Sequence, residues 1–224
     1  MTKPPYEHHF FSFENRSGRY DFLRERFADV FSSSQRVLDV GCDENYLKSV
    51  YGTKVFGIDI GGSPDRVVDL EKEGLRPLGD GAYDLVICTE VLEHIDNFHE
   101  VVRELIRVSS RYVLISLPNC TSTRRFWKIA RTGRTGKFYG LPFEKPTDRH
   151  KWYFSHSEVL RFMEHLCEKG GLRPAAVIYH YNILHREEPR RLHRLKQVIE
   201  AWFVRAIGWK NQSQDLIFLF DKNA

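Results

Sequence analysis

The fold is decided by one stretch of the chain, Arg36-Val-Leu-Asp-Val-Gly-Cys-Asp-Glu-Asn45. It begins as a short apolar, β-branched run, passes through Asp39 and Gly41, and is followed at once by the helix-compatible segment Tyr46–Tyr51. This pattern predicts a strand, a tight turn and the start of a helix. Open α/β sheets bind ligands beyond the carboxyl ends of their strands, where glycine lets the backbone approach a ligand closely. We therefore expect this turn to hold a cofactor.

The turn lacks certain glycines, and this limits the classes of cofactor that it can bind. A dinucleotide site needs the spacing G-x-G-x-x-G to place a pyrophosphate on a helix N-terminus. After Gly41, however, the next glycine is Gly52. The phosphate-binding loop with its Lys-Ser/Thr pair is absent from the turn as well. The sequence therefore argues against both kinds of nucleotide site here.

The run Val37-Leu-Asp-Val-Gly-Cys42 resembles the first motif of the class I S-adenosylmethionine-dependent methyltransferases, usually D-x-G-x-G-x-G. The resemblance continues in order through the second strand, the adenine-side acid, the fourth strand with its helix, and the fifth strand. These are Val55–Asp59, Val68–Leu70, Tyr83–Ile95 and Arg111–Asn119. Each motif alone is weak, but with five in register the chain is identified as a member of this superfamily, in its type 11/23-like part.

The resemblance implies S-adenosylmethionine as cofactor and a set of contacts to it. Asp59, at the end of the second strand, is expected to accept hydrogen bonds from both ribose hydroxyls. Asp69, on a third strand at Arg66–Leu70, is expected to accept from the adenine amino group. Either acid also has the simpler interpretation of a solvated strand-end or turn residue. The full cofactor set is Asp39, Gly41, Cys42, Asp43, Asn45, Asp59, Ile60, Asp69, Leu70, Thr89 and Glu90.

The cofactor turn departs from the family pattern at two positions. Asp43 and Asn45 stand where the family usually has glycine. Asparagine tolerates positive φ better than most residues, so Asn45 can keep the turn. Asp43 would either pair with the ammonium group of the cofactor or repel its carboxylate. The residues alone leave both open.

Composition indicates a globular protein, and the resemblance implies that residues 1–224 form a single methyltransferase domain. The chain is 42% apolar and 29% charged, which is ordinary for a soluble protein with one sizeable core. There is no apolar run of eighteen residues and no charged-then-apolar leader, so we expect a cytoplasmic location. The cysteines are Cys42, Cys88, Cys120 and Cys167, and without a C-x-x-C pair they are interpreted as packing thiols.

The resemblance implies an α/β fold, a Rossmann-like, doubly wound sheet of seven mostly parallel strands with an antiparallel last strand, and we expect a helical insertion before that strand. The sixth and seventh strands are predicted at Ala175–Asn182 and Asp215–Phe220. Within the domain we assign an N-terminal flap and helix, a cofactor-binding core, a basic substrate loop and the helical insertion. Their bounds are residues 1–35, 36–119, 120–154 and 183–214.

Helical periodicity predicts three helices outside the core motifs. They are Arg19–Phe31, Asn97–Ser109 and a segment capped by Ser155 or Ser157 that runs to about Lys169. Another short helix is expected at Ser122–Arg131. Met1–Ser17 is rich in aromatic residues and histidine but has neither a helical nor an alternating period. We interpret it as either a frayed terminus or a flap over the active site.

Basic charge is concentrated in two segments. Residues 121–151 carry a net charge of +7 and residues 183–212 carry +4, whereas the remaining chain carries −7. In this fold both segments would surround the substrate opening, which favours an acceptor that carries phosphate, pyrophosphate or carboxylate. The periodic part of residues 183–214 either packs on the domain or a second subunit, or lies on a membrane surface or a phosphorylated partner. The sequence does not predict an oligomeric state.

Residues for the chemistry are expected beyond the fourth strand. Methyl transfer requires an in-line acceptor and, for a hydroxyl acceptor, assistance with loss of its proton. Glu90, Glu93 and His94 fall at spacings that one helical turn can bring together. With His150 they form a possible metal site of two carboxylates and two imidazoles, for Mg²⁺ or another divalent ion. The alternative is that Glu90 lines the cofactor, Glu93 caps and His94 closes the helix.

Without a metal, His150 is the expected general base, with Glu90 as the second choice. Asn119, at the end of the fifth strand, is a candidate contact to the acceptor. Trp152 could stack on a ring or sugar face, although aromatic residues ahead of a helix are more often part of a core.

This set resembles two branches of the superfamily. Ubiquinone-pathway O-methyltransferases carry a similar Glu-x-x-Glu-His, and small-RNA 3′-terminal 2′-O-methyltransferases pair it with a later histidine in a stretch similar to His150–Ser155. We expect O-methylation of a small, glycan-linked or lipid-linked anionic acceptor. The first alternative is RNA 3′-terminal 2′-O-methylation. The second is a catalytically silent protein that keeps the fold.

Overall fold

The computed structural model of the protein describes residues 6–13, 15–134, 143–144, 149–184, 198–199, 202 and 213–223. Its strands are β1 (Tyr6–Phe11), β2 (Val37–Val40), β3 (Val55–Asp59), β4 (Arg66–Val67), β5 (Tyr83–Thr89), β6 (Ser109–Pro118), β7 (Arg173–Leu184) and β8 (Asp215–Asp221). Its helices are α1 (Arg16–Arg26), α2 (Ala28–Ser33), α3 (Tyr46–Tyr51), α4 (Phe98–Val108), α5 (Thr123–Thr132) and α6 (His156–Gly170).

All of these strands belong to one sheet, in the order β1-β7-β8-β6-β5-β2-β3-β4. Neighbours are parallel except at β8, which runs antiparallel to both β6 and β7. The expected Rossmann-like α/β class and the antiparallel last strand are therefore confirmed. The sheet contains one strand more than the seven that we expected.

The additional strand is β1, which pairs in parallel with β7 at the edge of the sheet. For this part of residues 1–17 the expectation of a frayed terminus or flap is wrong. The alternating period is missing because both faces of β1 are covered by aromatic rings. The Phe10 ring stacks on Tyr181 at 4.8 Å between centroids, and the His9 ring lies 4.1 Å from that of Phe22.

Helices cover both faces of the sheet and enclose two apolar layers. Leu105 of α4 and Met163 of α6 are buried on one face. Leu23 of α1, Phe31 of α2 and Leu47 of α3 are buried on the other. Full burial of such a side chain stabilises the fold by about 1.5–3 kcal/mol, so the two layers hold the helices against the sheet.

Two predicted elements differ from the structure. The helix expected at residues 19–31 is divided at Phe27, whose φ of −116° and ψ of 35° interrupt the helix between α1 and α2. The third strand was expected to reach Leu70, but β4 ends at Val67. The chain turns there because the backbone N–H groups of Lys72 and Glu73 both donate to the carbonyl oxygen of Asp69.

The remaining predicted elements are close to the observed ones. The helix after Ser155 carries the expected cap: the Ser155 hydroxyl accepts from the N–H of Glu158, and the Glu158 carboxylate accepts from the N–H of Ser155. All four cysteines are free thiols, three buried and Cys167 half-buried, as expected for packing residues.

Much of the basic substrate loop and of the helical insertion lies outside the described residues, so both assignments and the division of the domain stay predictions. Within the described ranges, no helix combines the length and apolar character needed to cross a bilayer. The cytoplasmic location stays a prediction.

Candidate active site

The candidate site lies at the carboxyl edge of the sheet, by which we mean the side where β2, β3, β5 and β6 end. These four strands are parallel neighbours, so their carboxyl ends meet. The turn after β2, Asp59 at the end of β3 and Glu90 after β5 are therefore brought together, although up to about fifty residues separate them. Because β8 is antiparallel, its first residue, Asp215, lies at the same edge.

The cofactor turn is held tightly against its neighbours. Gly41 has φ of +80°, and a Cβ atom there would lie 2.1 Å from Cγ2 of Val91, so only glycine fits. Asp43 and Asn45 also adopt positive φ, at 51° and 56°. Asn45 adopts a left-handed conformation at the start of α3, as we expected of a residue that keeps the turn in place of glycine.

Asn45 is fixed by a network that involves Asp65 and Gly57. The Asp65 carboxylate accepts from Asn45 Nδ2 at 3.1 Å and from the N–H of Gly57 at 2.8 Å. A Cβ atom on Gly57 would lie 2.4 Å from Asn45 Oδ1. The Lys48 ammonium also pairs with Asp65. The asparagine therefore packs where β3 has no side chain. Burial of its Nδ2 is offset by the bond to Asp65, whereas its Oδ1 has no hydrogen-bond partner among the described residues.

Asp59 joins the turn to the loop after β3. Its Oδ2 accepts from the N–H of Asp43 at 2.8 Å, and its Oδ1 accepts from the N–H of Gly61 at 3.1 Å. A carboxylate oxygen has a second acceptor position, so these bonds leave capacity for ribose hydroxyls. The next side chain, Ile60, is 68% exposed and offers an apolar surface beside that carboxylate.

Asp39 is fully buried beneath the turn. The hydroxyl of Tyr20 in α1 donates to its Oδ1 at 2.9 Å, while Oδ2 has no hydrogen-bond partner within the described part of the chain. Burial raises the pKa of Asp39 to about 7, against the lowering effect of the Tyr20 bond. Burial also raises the pKa of the adjacent Cys42 thiol to about 12, so Cys42 stays protonated and packs.

Asp69 lies in the turn after β4 rather than on a strand. Its Oδ1 accepts from the N–H of Glu71 at 3.0 Å, and its Oδ2 pairs with the Lys72 ammonium at 2.8 Å. The carbonyl oxygen of Leu70 accepts from Asn97 Nδ2. These contacts match the simpler interpretation of Asp69 as a turn acid, and its contact with adenine stays a prediction.

Two acids follow β5, next to the buried Thr89: Glu90 is half-buried and Glu93 is fully buried. The Ser116 hydroxyl donates to Glu90 at 2.9 Å, and burial together with the nearby charge of Asp215 raises the pKa of Glu90 to about 7. Glu93 is completely buried, and neither of its carboxylate oxygens has a hydrogen-bond partner among the residues that the structure describes. Burial, and secondarily the charge of Glu90, raises the pKa of Glu93 well above its usual range.

Arg19 of α1 contributes positive charge among these acids. Its charge lowers the pKa of Asp39, Glu90 and Glu93, and its Nε is buried without a hydrogen-bond partner in the described ranges. Neither Arg19 nor Tyr20 was expected at the site, because both read as ordinary positions of an amphipathic helix. Only the docking of α1 over the cofactor turn reveals them.

Glu93, His94 and His150 converge. One potential ligand atom from each lies within 4.8 Å of the other two, and the two imidazole rings meet edge to face at 4.5 Å. Three of the four predicted metal ligands are thus brought together, whereas Glu90 falls outside this group. The buried Glu93 carboxylate, with no hydrogen-bond donor of its own in the described structure, is compatible with a cation there.

Backbone and side-chain bonds tie the segment around His150 to the turn after β5. The N–H of Lys151 donates to the carbonyl of Glu93 at 2.7 Å, and Nε1 of Trp152 donates to the carbonyl of Ile95 at 2.6 Å. The Trp152 ring also packs against Phe98 of α4. Trp152 therefore takes part in the packing, as the alternative interpretation held, and its contact with an acceptor stays a prediction.

Asn119 is also fully buried. Its Nδ2 donates to the carbonyl of Ser213 at 2.8 Å, and its Oδ1 accepts from the N–H and hydroxyl of Thr121. The side chain fastens the end of β6 to the chain that enters β8. This arrangement does not support the expected contact with an acceptor, because the amide is committed within the protein.

An additional pair at the same edge was not expected from the sequence. His180 of β7 and Asp215 of β8 are in register across the antiparallel pair, and Nδ1 of the histidine lies 2.9 Å from a carboxylate oxygen of the aspartate. Only the pairing of the two strands identifies this contact, since 35 positions separate the residues.

Comparison with known proteins agrees with this geometry. The model of the methyltransferase domain family matches residues 12–173. A "ubiquinone biosynthesis O-methyltransferase" of Sodalis glossinidius (strain morsitans) is 33% identical over 132 residues, which are 51% of this chain and about half, 52%, of that protein. The protein of the same name from Hahella chejuensis (strain KCTC 2396) is 26% identical over 186 residues, covering 74% of this chain and 76% of that one.

Solved structures share the fold. A SAM-dependent methyltransferase from Archaeoglobus fulgidus superposes with a TM-score of 0.54 at 19% identity, covering 94% of this chain and 96% of the other. The methyltransferase domain of bacterial CtHen1-C superposes with a TM-score of 0.52 at 17% identity, covering 91% and 96%. The family match spans well over half of the chain, and the cofactor turn lies where this fold binds its ligand. The protein therefore belongs to the methyltransferase domain family and is a class I S-adenosylmethionine-dependent methyltransferase.

Proposed function

We propose that the protein transfers the methyl group of S-adenosylmethionine to a hydroxyl oxygen of a small, glycan-linked or lipid-linked acceptor that carries a negative charge. The observation that carries this proposal is the convergence of Glu93, His94 and His150, together with Glu90, at the carboxyl edge beside the cofactor turn. Two aligned relatives named for O-methylation in ubiquinone biosynthesis support oxygen as the acceptor atom.

The cofactor would lie across the turn after β2. Asp59 and the exposed Ile60 would hold the ribose and one face of the adenine. At the other end, the Arg19 guanidinium would pair with the carboxylate of the cofactor, and Asp39 would face its ammonium group. Binding would then satisfy the buried groups of Arg19 and Asp39 that have no hydrogen-bond partner within the described residues.

Proton removal from the acceptor would fall to His150, with Glu90 as the second candidate. His150 is buried at the same edge and is held in place by the backbone around it. Glu90 has a pKa of about 7, so it exchanges protons readily near neutral pH. Arg125 of α5 lies close enough to lower the pKa of Glu90, and it places positive charge where an anionic acceptor would enter.

Calorimetry with S-adenosylhomocysteine tests the cofactor site. We expect wild-type protein to bind and Asp59→Asn to bind at least about tenfold more weakly, because one charge-assisted acceptor is lost. Asp84→Asn is the matched control, since Asp84 bonds the backbone of Gln35 and Arg36 at the opposite end of the strands. Absence of binding to folded wild-type protein would contradict the proposal and favour the silent alternative.

A second candidate function, 2′-O-methylation at the 3′ end of RNA, is favoured by the group of Glu93, His94 and His150. A divalent ion held by these residues would polarise the acceptor oxygen and lower its pKa. Calorimetry with Mn²⁺ on wild-type protein and on His94→Asn tests the metal. Methylation of short RNA, but not of its 3′-terminal 2′-deoxy form, with binding that weakens as salt rises, would favour this function over the first.

A further inference from the structure

We propose that Arg16 is a specificity-determining residue of the cofactor turn, because it neutralises Asp43 and so allows the turn to accept a ligand that carries a carboxylate. This inference rests on the proposed cofactor site. It answers the question that the sequence left open, namely whether Asp43 attracts the ammonium or repels the carboxylate.

The backbone of Asp43 is fixed on both sides. Its N–H donates to Asp59 Oδ2 at 2.8 Å, and its carbonyl oxygen accepts from the N–H of Ser63 at 2.8 Å. The carbonyl oxygen also abuts Gly62, where a Cβ atom would lie only 2.3 Å away. With φ of 51°, Asp43 has little freedom to move its side chain away from a bound cofactor.

The carboxylate of Asp43 is paired with Arg16, the first residue of α1. Nη1 of Arg16 lies 2.6 Å from Oδ2 of Asp43, and their side chains are 66% and 39% exposed. Two further bonds anchor α1 along the turn: Tyr20 donates to Asp39 at 2.9 Å, and Tyr46 donates to Asp21 at 2.6 Å. Arg16 is therefore delivered to Asp43 by a helix that is fastened over the turn.

The pair changes the charge that the cofactor meets. The amino-acid end of S-adenosylmethionine carries both a carboxylate and an ammonium group, and an unpaired Asp43 at a position where the resemblance leads us to expect glycine would repel the carboxylate. With Arg16 in place, the charge of Asp43 is compensated, while the other acid of the turn, the exposed Glu44, accepts a hydrogen bond from the Ser63 hydroxyl at 3.0 Å. Because the pair is partly exposed, we expect an effect of about three- to tenfold on affinity rather than loss of binding.

A double-mutant cycle read with two ligands tests the proposal. The proteins are wild type, Arg16→Ala, Asp43→Asn and the double variant. The ligands are S-adenosylhomocysteine and 5′-methylthioadenosine, which lacks the carboxylate and the ammonium group. We expect Arg16→Ala to lower the affinity for S-adenosylhomocysteine by about three- to tenfold in the wild-type background. In the Asp43→Asn background the same substitution should cause no such loss. The affinity for 5′-methylthioadenosine should be equal in all four proteins. Arg16→Lys should restore most of the affinity for S-adenosylhomocysteine.

The other outcomes overturn the proposal in distinguishable ways. If Asp43→Asn by itself lowers the affinity for S-adenosylhomocysteine, Asp43 recognises the ammonium group. If Arg16→Ala lowers the affinity for both ligands equally, Arg16 acts through the position of α1 rather than through its charge. If Arg16→Ala changes neither affinity, the pair has no role in binding. If folded wild-type protein binds 5′-methylthioadenosine but not S-adenosylhomocysteine, the turn rejects the carboxylate despite Arg16. If it binds neither ligand, the proposed function itself fails.

Discussion

Acids that are fully or partly buried give the site its properties at the scale of single residues. Asp39, Glu90 and Glu93 are each visible in the sequence, but their altered pKa values arise from desolvation by neighbouring elements. A carboxylate that is removed from water favours its neutral form unless a cation or several donors compensate. Arg19 provides part of that compensation, and we expect bound cofactor to provide more.

The raised pKa of Asp39 predicts that the stability of the protein without cofactor depends on pH. The folded pKa is about 7 and the unfolded value is near 4, so ionisation of Asp39 lowers the free energy of unfolding progressively as pH rises from 4 to 7, with no further loss above. Relative to wild type, Asp39→Asn should therefore be stabilised more at pH 8 than at pH 5, by about 2 kcal/mol. Urea unfolding of both proteins at the two pH values measures this difference, and an equal gap at pH 5 and pH 8 would refute it.

At the scale of elements, a short irregular segment, residues 150–154, has a positioning role that a helix or strand would usually have. It is joined to the turn after β5 by the bonds of Lys151 and Trp152, and to the end of β6 by the bond from the N–H of Cys120 to the carbonyl of Phe154 at 3.0 Å. The Lys151 ammonium adds ion pairs with Glu71 and with Asp96. His150 thus reaches its place through hydrogen bonds between its neighbours in the sequence and distant parts of the chain.

Replacement of Trp152 tests this role. Trp152→Phe keeps an aromatic ring against Phe98 but removes the donor to the carbonyl of Ile95, so we expect His150 to be held less well. The turnover number should fall by roughly fivefold or more, of the order of one lost buried hydrogen bond, while the affinity for S-adenosylhomocysteine changes less than twofold. Tyr51→Phe, which removes a hydroxyl bonded to Arg24 away from this edge of the sheet, is the matched control. A loss of cofactor affinity equal to the loss of turnover would show a general disturbance instead.

At the scale of the whole molecule, the order of the eight-stranded sheet determines which functional side chains lie close together. The antiparallel insertion of β8 between β6 and β7 brings Asp215 beside Glu90, and β1 extends the sheet at the other side of β7. Residues 6–11 are thereby part of the sheet.

Removal of the Phe10 side chain measures how much β1 contributes. Phe10 is 6% exposed and packs in the main apolar layer, so Phe10→Ala should lower the free energy of unfolding by about 3 kcal/mol. Tyr6→Ala, in the same strand but at a side chain that is 39% exposed, should cost clearly less. Thermal or urea unfolding compares the two variants. Equal, small effects would mean that β1 adds little to the stability of the fold.

The sequence by itself determined the fold class and most elements, and its resemblance to class I methyltransferases implied the cofactor. These depend on local patterns: the apolar runs of β2, β3 and β5, the periodic stripe of α4, the cap at Ser155 and the glycine at Gly41 with its required positive φ. A short stretch of chain carries each of these signals, because backbone conformation and the direction of side chains are local properties. For the same reason, the capacity of Asn45 to replace glycine was predictable.

Only the tertiary structure decided which side chains share the site and which were committed elsewhere. It brought Arg16, Arg19 and Tyr20 over the cofactor turn, paired His180 with Asp215, and withdrew Asn119 and Trp152 into internal hydrogen bonds. Such contacts join residues that are far apart in the sequence, and they depend on strand register and helix docking, which no local window contains. The pKa values follow the same rule, because desolvation and nearby charge are set by the surrounding elements of the folded chain.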